Sequence, residues 1–360
     1  MLAAIMHGIN QPLSLEQVDT APPGDDDLVV DVEAAGVCHS DISAIRGYLG
    51  LINPTIIGHE VAGTVLEVGR NVPGFAVGDR IIGSLVPQCG VCFWCLNGQS
   101  HLCATTMSVR EQVRGATASG QPVTAMLGLG AFAERMTIDF RLAVKVQSDL
   151  PAEQLALIGC GVATGAGAAM FTAGVKPGSS VAIIGCGGVG QSAIQGARIA
   201  GAAQIIAIDP VPLKREHALR NGATHVVDPA VADTAEQVRD LTHGRGADTA
   251  IELVGLSATV LDAYASARRG GTVVTVGIPA PSTTIDLPAT DFFRAEKRVV
   301  GSYYGSTQVR TDFQKFADLI AAGRFDADGL ITHRYPLQDL QQALDDLEAG
   351  SVIRGVIRYD

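Results

Sequence analysis

SVAIIGCGGVG, residues 180–190, is the stretch whose reading decides the fold. A short apolar run ends in glycines spaced G-x-G-x-x-G, at Gly185, Gly187 and Gly190, and helical spacing takes over near Gly188. The glycines permit a tight turn and a close approach of backbone to a pyrophosphate. A helix opening behind them presents unpaired N–H groups and partial positive charge to an anion. The pattern alone is weak; its position between strand and helix gives it weight. Asp209 closes the next apolar run, where a carboxylate can accept both ribose hydroxyls of an adenosine and repel a 2′-phosphate. The cofactor expected on these residues is NAD rather than NADP.

The same beat continues on both sides of the turn. β-prone runs recur at 181–184, 205–208, 225–227, 249–253, 272–276 and 298–302, with helical spacing at 191–200, 213–220, 235–242 and 258–268. Alternating strands and helices imply right-handed crossovers and a parallel sheet. Continuous apolar runs suit strands covered on both faces. The fold class expected is α/β, a doubly wound parallel Rossmann sheet.

The first 150 residues read differently. DLVVDVEAAGV, EVAGTVLEVG, GDRIIGS and AFAERMTI are short β-like stretches divided by Gly, Pro and Asp, as in an irregular, mostly antiparallel domain. Two helical segments, 311–322 and 337–348, and a strand-like IRGVIRY close the chain. A chain of 360 residues exceeds one ordinary core, which agrees with two domains. The net charge of −11 argues against nucleic acid or an anionic membrane as partner. No Lys or Arg precedes Arg46, so the opening is neither a secretory signal nor a mitochondrial presequence, and a cytoplasmic location is expected. The uncharged run 154–175 nears membrane-spanning length, but it is rich in Gly and Ala and reads as buried protein.

Four of the seven cysteines, Cys89, Cys92, Cys95 and Cys103, fall in CGVCFWCLNGQSHLC. A cytoplasmic protein disfavours stable disulfides. A ferredoxin-type cluster has a shorter last gap and often a Pro after the final Cys; here Ala104 follows. Four thiolates in a short knuckle suit a closed, tetrahedral structural zinc. Cys38 in GVCHSD, His59 in IIGHE and Cys160 in LIGCGVATG stand apart. Cys2His with an open position is a catalytic zinc set. Taken singly, though, a buried cysteine is as readily a small core residue and a lone histidine structural.

With GHE, the cysteine knuckle, GDR at 78–80, GCGGVG and the Cys160 segment in this order, the chain resembles zinc-containing medium-chain alcohol dehydrogenases from about Val29 to Arg354. The resemblance implies a GroES-like, mostly β catalytic domain at 1–161 with a zinc lobe near 86–106. It implies an NAD-binding domain at 162–300 and a return to the catalytic domain at 301–360. It makes Cys38, His59 and Cys160 the catalytic zinc ligands, with Glu60 the acid behind the metal and Asp41 the carboxylate orienting His59. Ser40 matches the hydroxyl that takes the substrate proton. Thr164 and Val189 match residues lining the nicotinamide, Asp209 and Lys214 the adenosine-ribose pair, and His39 and Arg354 pyrophosphate contacts. Gly185, Gly187, Gly188 and Gly190 complete the cofactor turn, and Cys186 fills it.

Relatives often carry a histidine where this chain has Ser43. Serine can pass a proton but cannot store one near neutral pH. The relay expected runs from Ser40 through the nicotinamide ribose to Ser43 and water. Substrate-pocket positions fall at Leu85, Met126, Leu127 and Ile278, an apolar lining that suits medium or aromatic primary alcohols and their aldehydes; Ile278 also counts among the cofactor contacts. Positions that carry charges in glutathione-dependent formaldehyde dehydrogenases fall near Leu49 and Met107, which weakens that alternative. A non-catalytic NAD-binding protein of this fold would have lost a ligand, and none is lost. A zinc-free quinone reductase is contradicted by the intact ligand set. The resemblance further implies two zinc ions per chain and a homodimer or homotetramer.

Overall fold

The computed structural model describes residues 1–110 and 112–359. They form two compact units, one of Met1–Gly161, Gln308–Gly323 and Ala327 onward, the other of Val162–Thr307 and Arg324–Asp326.

In the second unit, six strands pair in parallel in the order His225–Val227, Gln204–Ile208, Ser180–Ile184, Ala247–Glu252, Ala267–Thr275, Arg298–Gly301. The order reverses between Ser180–Ile184 and Ala247–Glu252, the switch point at which doubly wound sheets bind ligands. The strands are apolar at successive residues because each side chain has a covered face. Val181, Ile183, Ile205 and Ile251 pack with Ala193, Ile194 and Ala197 of the helix Gly188–Ile199. Ala182, Ile184, Ile206 and Ala250 pack on the other side with Val238, Ala263 and Tyr264. Burying each such large aliphatic side chain contributes about 1.5–3 kcal/mol. The helices start and stop where local chemistry directs. Asp233 caps Thr234–Leu241 by accepting the Glu236 N–H at 2.8 Å, and Gly222 (φ 111) ends Pro212–Asn221.

The first unit holds a closed barrel of Leu2–Met6, Ser14–Thr20, Val113–Thr117, Pro122–Ala125 and Thr55–Ile56. A second sheet is centred on Asp27–Val37, which pairs with Glu60–Val68, Arg135–Asp139 and the late strand Arg354–Arg358. The late strand brings Arg354 beside residues read some 300 positions earlier. The apolar run expected to be buried is helical from Ala152 to Thr172, and 78% of its most apolar window lies inside the protein.

The return to the first unit falls at Gln308 rather than 301. The reason is local: the turn Tyr304–Ser306 is anchored in the second unit. Thr172 Oγ1 lies 2.8 Å from both Ser302 Oγ and Ser306 Oγ. A three-residue excursion, Arg324–Asp326, is held to that unit by Gln195, whose amide donates to Asp326 O at 2.9 Å and accepts its N–H at 2.7 Å.

Candidate metal centres and cofactor turn

Cys38 ends the long strand Asp27–Val37 and caps the short helix His39–Ile45, whose first turn carries Asp41. His59 immediately precedes the neighbouring strand Glu60–Val68, which Glu60 opens, and Cys160 lies on a widened helical turn, Ile158–Val162. Such wide turns often mark functional sites, because they swing one side chain out of regular helical register. Ligand atoms of Cys38, His59, Glu60 and Cys160 all lie within 4.8 Å of one another, and all four residues are buried.

Asp41 Oδ1 sits 2.8 Å from His59 Nδ1, and Oδ2 accepts the Cys38 N–H at 2.9 Å. The carboxylate therefore holds the ring by Nδ1 and leaves Nε2 as the coordinating atom, as supports of metal-bound histidines do. His59 Nε2 is buried and without a hydrogen-bond partner among the described residues. Burial works against charging the ring, but Asp41 outweighs it and raises the His59 pKa well above its usual value. Cys160 donates to Cys38, so the Cys38 thiol is lowered well below its ordinary value and Cys160 is raised. Protons shared this way are displaced when a metal takes the ligands.

Glu60 and Arg354 close one side. Arg354 Nη1 lies 3.1 Å from Glu60 Oε1 and donates to Val37 O at 3.2 Å. Burial pushes the Glu60 carboxyl up to about 7 against the pull of Arg354. A Cβ at Gly161 would stand 2.0 Å from Arg354 Nη2, so the guanidinium can lie there only over a glycine. Arg354, expected at a pyrophosphate, is thus placed in the wall of the metal centre.

An orphaned histidine nitrogen and two paired thiols in a buried pocket fit a zinc ion. The second cluster fits as well. Cys89, Cys92, Cys95 and Cys103 lie with Sγ atoms within 4.8 Å of one another, Cys89–Cys95 at 3.9 Å and Cys92–Cys103 at 4.0 Å. Thiolates about 2.3 Å from a tetrahedral zinc stand about 3.8 Å apart.

Ser40 Oγ lies 3.7 Å from Cys38 Sγ; Ser43, one turn on along the same helix face, is half-buried. His39 is exposed. Leu49 and Met107 meet with Leu51, Ile52, Leu127 and Arg110 around a pocket of about 120 Å³. Thr55, also on its wall, belongs to the strand that leads into His59. Leu85 is half-buried, and its carbonyl accepts from Arg110 Nη2. Met126, expected as a pocket residue, is instead fully enclosed in the core with Leu129 and Phe132. It follows a barrel strand whose inward side is already apolar, so the core takes it. Arg110 had no signal in the sequence beyond its charge.

In the second unit, Gly187 precedes the helix Gly188–Ile199, and no side chain caps the helix. A Cβ at Gly187 would meet nothing within 4 Å, whereas one at Gly190 would stand 2.0 Å from Gly185 O. The first leaves an open approach to the helix N–H groups; the second requires glycine for the turn to close. That cradle fits a dinucleotide phosphate. Asp209 Oδ2 accepts the Cys186 N–H at 2.8 Å and Oδ1 the Val211 N–H at 2.9 Å, which ties the ribose candidate to the turn. Lys214 is half-buried, and its carbonyl accepts from Gln191 Nε2 at 2.9 Å. Gln191 Nε2 also donates to Cys186 O at 2.8 Å. Burial raises the Cys186 thiol, which leaves it inert. Thr164 and Val189 are half-buried, and Ile278 is exposed.

Residues 24–148 match the alcohol dehydrogenase GroES-like domain and 188–322 the zinc-binding dehydrogenase family. An NDMA-dependent alcohol dehydrogenase of Amycolatopsis methanolica is 38% identical over 99% of this chain and 98% of its own length. Alcohol dehydrogenase B of Mycobacterium tuberculosis is 36% identical over 99% of this chain and 97% of its own. A crystal structure of benzyl alcohol dehydrogenase from Acinetobacter calcoaceticus superposes with a TM-score of 0.93 at 28% identity, covering 100% of this chain and 99% of that one. Relatives of this kind, matched end to end, make the protein an oxidoreductase acting on alcohols. The chain belongs to the zinc-containing medium-chain alcohol dehydrogenase family.

Proposed function

We propose that the protein oxidises a primary alcohol reversibly to the aldehyde with NAD as acceptor, and that aromatic alcohols suit it best. The observation that carries this reading is the buried Cys38–His59–Cys160 set with its orphaned His59 Nε2. Cys38, His59 and Cys160 would hold a zinc ion whose Lewis acidity lowers an alcohol's pKa, and Cys89, Cys92, Cys95 and Cys103 a structural one; NAD would accept the hydride.

The chain's own groups have separable tasks. Asp41 fixes the His59 tautomer and ring direction. Glu60 and Arg354 fill the enclosed side, and the Arg354 guanidinium balances the thiolate charge. Ser40 Oγ accepts the substrate proton, and Ser43, on the same helix face, passes it toward solvent. In the second unit, the helix opening at Gly188 holds the pyrophosphate, and Asp209 and Lys214 the adenosine ribose. A 120 Å³ pocket lined by Leu49, Leu51 and Leu127 is about the size that takes one benzene ring. The same reading carries a cytoplasmic homodimer or homotetramer. Arg298–Gly301 is the last strand of its sheet, with one neighbour among the described residues, and its open edge suits a second copy.

NADH formation by zinc-replete protein, compared across benzyl alcohol, ethanol and hydroxymethylglutathione, tests the reading. Preference for benzyl alcohol is expected. Preference for the glutathione adduct would move the substrate to the alternative class. Cys38→Ala should abolish turnover and leave NADH binding intact; preserved turnover removes Cys38 from the ligand set. The name of the Amycolatopsis relative supports a second reading, in which turnover depends on NDMA. Turnover that needs NDMA and ignores added NAD would favour it.

A further inference from the structure

Glu252 is an acid at the carboxyl end of the strand Ala247–Glu252, beside the switch point of the sheet, and it is fully buried. Its Oε1 accepts three hydrogen bonds, from Val254 N–H, Gly255 N–H and Thr259 Oγ1, each at 2.7 Å. Its Oε2 has no partner among the described residues. A buried carboxylate oxygen left so costs stability, and the fold keeps it where three loops meet.

Those loops leave the carboxyl ends of three adjacent strands. Leu253 N–H donates to Ile184 O at 2.9 Å, and Val276 N–H donates to Glu252 O at 2.8 Å. The segment Val254–Gly255 is wedged between the other two. A Cβ on Gly185, in the phosphate turn, would stand 2.8 Å from Val254 Cγ2. On the far side, a Cβ on Gly255 would stand 2.6 Å from Ile278 O, and one on Gly277 2.1 Å from Gly255 N. Val254, Leu256 and Ile278 nevertheless present large apolar side chains to solvent at this rim. Exposed apolar groups clustered at a switch point are what a bound ligand covers.

From this we infer that Glu252 is a positioning residue for the cofactor. By reach rather than charge, it fixes the Val254–Gly255 wedge that sets the spacing between the phosphate turn and Gly277–Ile278. The inference rests on the reading that the second unit binds NAD.

Glu252→Gln keeps the reach to the three donors and drops the charge. Glu252→Asp keeps the charge and is one methylene short. NADH affinity is read by fluorescence titration of wild type and both variants, with melting temperatures of the cofactor-free proteins beside it. Glu252→Gln should bind NADH within about threefold of wild type, since neutral acceptors make weaker but intact bonds. Glu252→Asp should bind at least about tenfold more weakly, or about 1.4 kcal/mol. Its KM for NAD should rise at unchanged KM for alcohol, while its melting temperature falls as the buried donors lose their acceptor. Wild-type affinity in Glu252→Asp, or a greater loss in Glu252→Gln, overturns the inference. Should Glu252→Asp fail to fold, Thr259→Val removes one donor and leaves the carboxylate. A loss of about two- to fivefold in NADH affinity is expected there, and none overturns the proposal. Wild type that binds no NADH overturns the NAD reading and this inference together; wild-type binding with unaltered variants overturns this inference alone.

Discussion

Asp41→Asn separates the support of the metal centre from its ligands. The carboxylate is fully buried and serves two donors, His59 Nδ1 at 2.8 Å and the Cys38 N–H at 2.9 Å. Asparagine keeps the shape but offers one oxygen for both. Either the imidazole or the Cys38 amide must then face an NH2 group. Loss of a carboxylate that orients a metal-bound histidine lowers metal affinity about 10–100-fold, which is about 1.4–2.7 kcal/mol. The stranded buried donor costs stability by about 1–3 kcal/mol besides. The assay is competition by a chromophoric chelator against protein loaded with two zinc ions. One ion should be lost to chelators about 10–100-fold weaker than the wild type requires, and alcohol turnover should fall with it. The other ion should be unaffected, because Cys89, Cys92, Cys95 and Cys103 form a cluster separate from the one that Asp41 supports. Unchanged affinity for both ions, or selective loss from the cysteine knuckle, would refute the reasoning.

Ser43→His should speed alcohol oxidation below neutral pH, because imidazole can hold a proton where serine can only pass it; an unaltered pH profile removes Ser43 from the relay. Trp94 is the sole tryptophan and stacks edge-on with Phe93 at 5.2 Å inside the cysteine knuckle. Stripping the knuckle's zinc, or Cys92→Ala, should therefore shift the emission and lower the melting temperature; constant emission would show that metal does not order this lobe. Burial works to raise the Asp248 pKa, but hydrogen bonds from Ser180 N–H at 2.8 Å and Arg268 Nε at 2.6 Å outweigh it and hold the carboxyl low. Its contribution to stability is therefore full above the unfolded value of about 3.9 and is lost as pH falls through the lower folded one. Asp248→Asn should flatten the acid limb of the stability curve below about pH 4, and an identical limb would refute this.

The sheet was legible in the sequence because each of its strands is covered on both faces, so apolar runs and glycine turns carry the pattern locally. The cysteine knuckle was legible for a similar reason: its four ligands lie within one short loop. The helix Ala289–Ala295 carried no comparable signal, since it is two turns long and its apolar residues, Phe292 and Phe293, stay largely exposed. Met126 was misplaced because an apolar residue after a barrel strand reads alike whether it faces core or substrate. Glu252 did leave a mark, an acid inside AIELVG, but its partners lie in a turn and the helix behind it, whose path the sequence does not state.

By itself the sequence determined the two kinds of architecture, the phosphate turn and the closed thiolate site, all properties of neighbours along the chain. That Asp41 holds His59 and that Cys160 joins Cys38 came from the sequence only as what its resemblance implies, and tertiary structure supplied the contacts; that Arg354 pairs with Glu60 was decided by tertiary structure alone. Each of these contacts joins separate segments through strand pairing and a widened helical turn. Its charge balance exists only once burial has removed the water that would otherwise solvate each group alone.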